Sequence, residues 1–190
     1  NGYLEALFAY LSYTAQLKGL HVDNYILGNE VNMPNQWHYS GSTDVNVVAT
    51  KYARAFYQMY TAVRQYSDDA RCSISLDHSW QHNDEGRGIT AKSFLDVFAA
   101  TLETYEEGID WCVSMHLYPA ILTEPQIWHT SYLNQRNDGA LFVDGNNLFV
   151  ATNYIKNTYG EQHRVMLTEQ GFVNNKGDAY QAAALVYSYY

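Results

Sequence analysis

Several features that would mark a specialised chain are scarce or missing from these 190 residues. The two cysteines, Cys72 and Cys112, allow at most one bridge, too few for a disulfide scaffold, and their spacing is not that of a zinc site. No apolar run is long enough to span a bilayer. Only 11 Lys and Arg stand against 20 Asp and Glu, and the formal charge of −9 repels phosphate backbones and anionic membranes. Nucleic acid and membrane surfaces are therefore poorly matched partners. A serine hydrolase would carry a Gly-x-Ser-x-Gly elbow between a strand and a helix, and none is present. His78 and His82 lie four apart but lack both a helical pattern and the glutamate of a zinc-protease motif, so no metal is expected there.

What remains is a composition for folding. Hydrophobic residues make up 47% of the chain and charged ones 16%, with a mean hydropathy of −0.36, which excludes disorder and points to one domain over residues 1–190. Tyrosine, at 18 against 7 phenylalanines, favours rings with an apolar face and a polar tip, suited to sugar binding and to ordinary packing alike.

Hydrophobic periodicity alternates between helix and strand. Leu4, Phe8, Leu11 and Ala15 predict a helix ending at Gly19, and Tyr25-Ile26-Leu27 predicts a strand buried on both faces, stopping in Gly28-Asn29-Glu30. Val48, Tyr52, Phe56, Met59 and Val63 mark a long amphipathic helix, followed by a strand from Cys72 to Leu76 that runs into Asp77-His78-Ser79-Trp80. Thr90 is placed to cap a helix carrying Phe94, Phe98, Leu102 and Tyr105, and the strand from Trp111 to Met115 ends in His116-Leu117-Tyr118-Pro119. Residues 120–145 predict a long loop at the rim. Leu148, Ala151, Ile155 and Tyr159 then give a helix, Val165-Met166-Leu167 a strand ending at Thr168-Glu169, and a last helix starts near Asp178.

The polar strand ends at 30, 77, 116 and 169 lie roughly 40 to 50 residues apart, the length of β-loop-α units in a parallel sheet. Doubly wound sheets and (β/α)8 barrels both gather function at carboxyl strand ends. The doubly wound fold expects a glycine-rich phosphate loop after its first strand, whereas Gly28-Asn29-Glu30 has one glycine followed by a carboxylate that would repel phosphate. The barrel fits better, yet a barrel needs eight strands. The expectation is thus an α/β fold that is part of a TIM barrel, with about four parallel units.

Glu30 and Glu169 each end a predicted buried strand. Two carboxyls facing one cavity are what acetal hydrolysis requires, one giving a proton and the other attacking carbon. Gly28-Asn29-Glu30, His116-Leu117-Tyr118 and Thr168-Glu169 together resemble strands four, six and seven of clan A retaining glycoside hydrolases. Over Tyr25 to Asn32, Asp77-His78-Ser79-Trp80 and Val165 to Phe172, the chain looks similar to a bacterial family of that clan with unassigned substrate. The resemblance implies that strands one to three and eight are missing from this segment.

It also implies roles. Glu30 would be the acid/base, Glu169 the nucleophile and Asn29 a contact to the sugar 2-hydroxyl. His116 would line the cleavage subsite, and Tyr118 would donate a hydrogen bond to Glu169. Asn29 has a second reading as a left-handed turn residue. In the loop after the second strand, Trp80 could stack on a pyranose face and Asp77 could bind hydroxyls beside His78, or all three could serve loop packing. Trp37 is a candidate platform for the leaving group. No cofactor is needed for this chemistry, and the substrate would be a poly- or oligosaccharide. An extracellular or periplasmic location is implied by the resemblance only. The alternative is a non-catalytic carbohydrate-binding or interaction domain derived from such a barrel. A half barrel leaves two open sheet edges, so self-association is expected.

Overall fold

The structure, a computed structural model, describes residues 2–83, 88–128 and 135–189. Helix α1 (Gly2–Leu17) leads into β1 (Asn24–Leu27), α2 (Val45–Arg64) into β2 (Arg71–Leu76), and α3 (Ala91–Glu103) into β3 (Trp111–His116). Helix α4 (Phe149–Tyr159), β4 (Val165–Glu169) and α5 (Asp178–Tyr187) complete the order. The four strands form one parallel sheet in the order β1-β2-β3-β4. Side-chain caps open α2 and α3, the second of them at the expected Thr90. The Asp44 carboxylate accepts from the amides of Asn46 and Val47 at the head of α2, and the Thr90 hydroxyl accepts from the amide of Ser93 at the head of α3.

In a pleated strand successive side chains leave on opposite faces. The register pairs Cys72 with Trp111, Ile74 with Val113 and Leu76 with Met115, and this face packs against the helices. Phe56 and Phe98 lie fully buried there, ring centroids 5.0 Å apart and perpendicular, and Phe98 meets the edge of Trp111 at 5.5 Å. The other face carries Ser73 opposite Cys112 and Ser75 opposite Ser114. Cys72 and Cys112 therefore point to opposite faces of the sheet. Both are free, buried thiols, and no bridge joins them.

One expectation needs correction. Only β2 and β3 are buried on both faces; β1 and β4, which end near Glu30 and Glu169, are half exposed, with Ile26 at 39% and Leu167 at 43%. Each of these is an edge strand with a partner on one side only among the described residues. The expected stripe on α1 is likewise poorly covered, since only Ser12 and Ala15 of that helix are buried. The rim loop is present, with residues 129–134 lying outside the described residues.

At the foot of the sheet His163 stacks on Trp111 at 4.1 Å and donates Nδ1–H to the Trp111 carbonyl at 2.9 Å. Burial holds its pKa below the ordinary imidazole value, and His38 is lowered in the same way. The folded chain thus binds fewer protons at these sites than the unfolded chain. Stability should be fully present above about pH 6.5 and decline as pH falls through that value toward the folded pKa. Urea midpoints measured across that range should drop on acidification, and His163→Gln should lose part of the drop; an unchanged pH dependence in the variant would refute this assignment.

Candidate active site

The carboxyl ends of the strands converge on a cavity of about 450 Å³ whose wall includes Glu30, Trp37, Asp77, His78, Tyr118 and Glu169. Glu30 reaches it from an unusual backbone. Gly28 has φ +79° and Glu30 has φ +41°, so the chain turns twice through the left-handed region just beyond β1. Asn29 between them has no positive φ, so the left-handed turn residue is Glu30 and not Asn29. Ser75 of β2 holds this turn. Its hydroxyl accepts the Glu30 amide at 3.2 Å and its carbonyl accepts the Val31 amide at 2.9 Å.

His116 ends β3 at a bulge between Met115 and His116 that sets it opposite Glu169 of β4. Its Nδ1 lies 2.9 Å from Glu30 Oε1 and 3.6 Å from Glu169 Oε2, while its Nε2 faces the Ser75 hydroxyl at 3.4 Å. The Tyr118 hydroxyl donates to Glu169 Oε1 at 2.5 Å. That bond, with burial and the neighbouring charges of Glu169 and Glu30, pushes the Tyr118 pKa up to about 12, so the phenol remains a donor at neutral pH. His78 donates Nδ1–H to the Tyr118 carbonyl at 3.0 Å and fixes the backbone that carries this phenol. Each glutamate thus has one oxygen engaged and the other without a hydrogen-bond partner among the described residues.

Glu30, His116 and Glu169 offer one ligand atom each, all within 4.8 Å of one another, and in composition they could hold a metal ion. The hydrogen bonds give the histidine other work. A metal would need the lone pair of Nδ1, the atom that closes on Glu30, while Nε2 is engaged by Ser75.

Burial and hydrogen bonding bear on three of the expected sugar contacts. Trp80 is fully buried, edge-on to Tyr154 at 5.4 Å, and offers no face to a ligand. The polar sequence around it suggests a ring at a binding surface, but packing behind the loop claims that ring for the core. His116 is only 4% exposed and lies behind the carboxylates rather than in the cavity wall. Asp77 reaches the wall, yet Oδ1 accepts from the Asn32 side chain at 2.6 Å and the Ser79 amide at 3.0 Å, and Oδ2 accepts from the Ser79 hydroxyl at 2.7 Å. It ties the β1 and β2 loops together. Asn29 is exposed and lies outside the cavity lining. Trp37, 57% exposed, keeps an accessible ring in the wall.

Two residues to which the sequence assigns no site role matter here. Asn32, fully buried, donates to Asp77 and to the Ile89 carbonyl and accepts the Asp77 amide, closing the loops around the cavity. Ser75 was signalled by the alternation Ser73-Ile74-Ser75, a polar face in a strand expected to be apolar on both.

Comparison with solved structures places this architecture. A beta-glucosidase from Thermotoga maritima in complex with cyclophellitol superposes with a TM-score of 0.51 at 16% identity, over 99% of this chain and 54% of that one. The same description with glucoimidazole gives 0.53 at 15%, over 99% and 55%. A Thermotoga maritima family 1 glycoside hydrolase complexed with a cyclophellitol analogue transition state mimic gives 0.53 at 15%, over 100% and 55%. The chain spans about half the length of these structures, and its four parallel strands correspond to about half of a glycoside hydrolase TIM barrel. At this identity the likeness establishes the fold. A family model described as "Family of unknown function (DUF5722)" matches residues 1–190, and the chain belongs to that family. No curated protein matches it in sequence.

The turn before Glu30 yields a direct test. A Cβ on Gly28 would lie 2.9 Å from Val31 Cγ1, on a backbone that side chains avoid. Gly28→Ala should destabilise the fold by about 1–2 kcal/mol in denaturant unfolding. Wild-type stability in the variant would mean that the turn has no such constraint.

Proposed function

We propose that this chain carries the catalytic pair of a glycoside hydrolase that cleaves O-glycosidic bonds of an oligo- or polysaccharide with retention of configuration. The observation that carries the reading is that two carboxylates from separate strand ends face one open cavity and bring one oxygen each to within 4.8 Å of one another. Retaining enzymes hold their carboxyls about 5–5.5 Å apart, whereas inverting ones leave about 6.5–9.5 Å for a water.

In this reading Glu169 attacks the anomeric carbon through Oε2 while Tyr118 steadies Oε1. Glu30 protonates the departing oxygen, then takes a proton from the water that releases the sugar. Trp37 is the accessible ring for stacking against a sugar face. Because the similar solved structures are a beta-glucosidase and a family 1 glycoside hydrolase, a β-glucoside is the first substrate to try.

The test uses the full chain and a 2-deoxy-2-fluoro-β-glucoside with a good leaving group. Mass spectrometry should find the sugar covalently on Glu169, and Glu169→Gln should abolish the adduct. Glu30→Gln should lower turnover of an unactivated glucoside by about 10²–10⁴-fold. Sugar binding without adduct or turnover, and with affinity unchanged by Glu30→Gln, would overturn this reading in favour of the carbohydrate-binding domain.

A further inference from the structure

The reading of Glu30 as a proton donor leaves open which of its two oxygens carries the proton. The hydrogen bonds behind it contain the answer. Ser75 is 1% exposed, and its hydroxyl has one proton to give. It already accepts the Glu30 amide, a bond that accounts for one oxygen lone pair. Its other contact is Nε2 of His116 at 3.4 Å. If Nε2 bore a hydrogen, the Ser75 oxygen would accept twice and its own proton would be buried without an acceptor among the described residues, a costly arrangement. The proton of a neutral His116 then belongs on Nδ1, where it points at Glu30 Oε1 from 2.9 Å.

We propose that Ser75 is a positioning residue for the acid/base step, an inference that rests on the glycosidase reading above. By donating to Nε2 it holds His116 in the Nδ1–H form, and that hydrogen occupies Oε1 of Glu30 throughout the cycle. The transferable proton therefore sits on Oε2, the oxygen that no described residue engages. In the first step a Glu169 oxygen bonds to the anomeric carbon as that carbon's bond to the glycosidic oxygen breaks, and the proton passes from Oε2 of Glu30 to the departing oxygen, leaving Glu30 a carboxylate. In the second step water gives a proton back to Oε2 as its oxygen bonds to the anomeric carbon and the Glu169 ester bond breaks. His116 keeps its proton in both steps, serving to orient Glu30 rather than to exchange with substrate.

The same serine sets the backbone. With the hydroxyl on the Glu30 amide and the carbonyl on the Val31 amide, one residue of β2 secures both sides of a left-handed glutamate. Such conformations persist only where surroundings over-determine them.

The experiment is two-bond ¹H–¹⁵N spectroscopy of the full chain labelled at histidine, with the His116 signals identified by their loss in His116→Gln. Wild type should display the Nδ1–H pattern at neutral pH. An Nε2–H pattern or an imidazolium in wild type would overturn the proposal before any variant is made. Ser75→Ala should shift His116 toward the Nε2–H or charged form and lower kcat about tenfold or more with KM little changed, and Ser75→Thr, which keeps the hydroxyl, should restore both. A tautomer unmoved in Ser75→Ala would overturn it. The predicted tautomer together with a wild type that turns over no glycoside would instead overturn the glycosidase reading and leave the tautomer assignment standing.

Discussion

Because consecutive side chains in a strand must leave on opposite faces, the parallel pairing of β2 with β3 divides this molecule in two. Ile74, Leu76, Val113 and Met115 go one way and supply the apolar surface on which α2 and α3 pack. Ser73, Ser75, Ser114 and His116 go the other way, into a buried face where Ser75, Ser114 and His116 find polar partners. A one-residue slip of register would exchange the two faces and destroy both core and site. The Phe56, Phe98 and Trp111 cluster therefore stabilises the site as well as the core, by holding the register that aims His116 between the two glutamates.

Around that pairing the polar groups form a continuous chain. Glu30 meets Ser75 across 45 residues and His116 across 86, and Tyr118 meets Glu169 across 51. Each contact crosses from one β-loop-α unit to another, so the site exists only once the sheet has assembled. The left-handed backbone at Glu30 costs free energy, on the order of 1–3 kcal/mol for such positions. It is offset by hydrogen bonds from β2 and β3, the two strands buried on both faces.

The sheet is also open. β1 and β4 each pair on one side only among the described residues, and Ile26 and Leu167 remain partly exposed on them. A (β/α)8 barrel removes its edges by closing, and this chain aligns with about half of such barrels. Glu30 follows the edge strand β1 and Glu169 ends the edge strand β4, while their connecting network runs through β2 and β3. The geometry between the carboxylates is thus held from inside the four strands described here.

The sequence by itself determined the alternation of helices and strands, the parallel sheet and the strand-end glutamates. These are legible because periodicity, the cap at Thr90, and polar residues after apolar runs are local signals. Tertiary structure alone decided what each neighbouring residue does. Trp80 reads as a sugar platform until packing against Tyr154 buries it, and Asp77 reads as a sugar contact until Asn32 and Ser79 occupy its oxygens. His116 becomes a bridge between the glutamates only because a bulge places it opposite Glu169. Such outcomes depend on which residue arrives from another strand and at what angle, and no local pattern in the chain encodes that meeting.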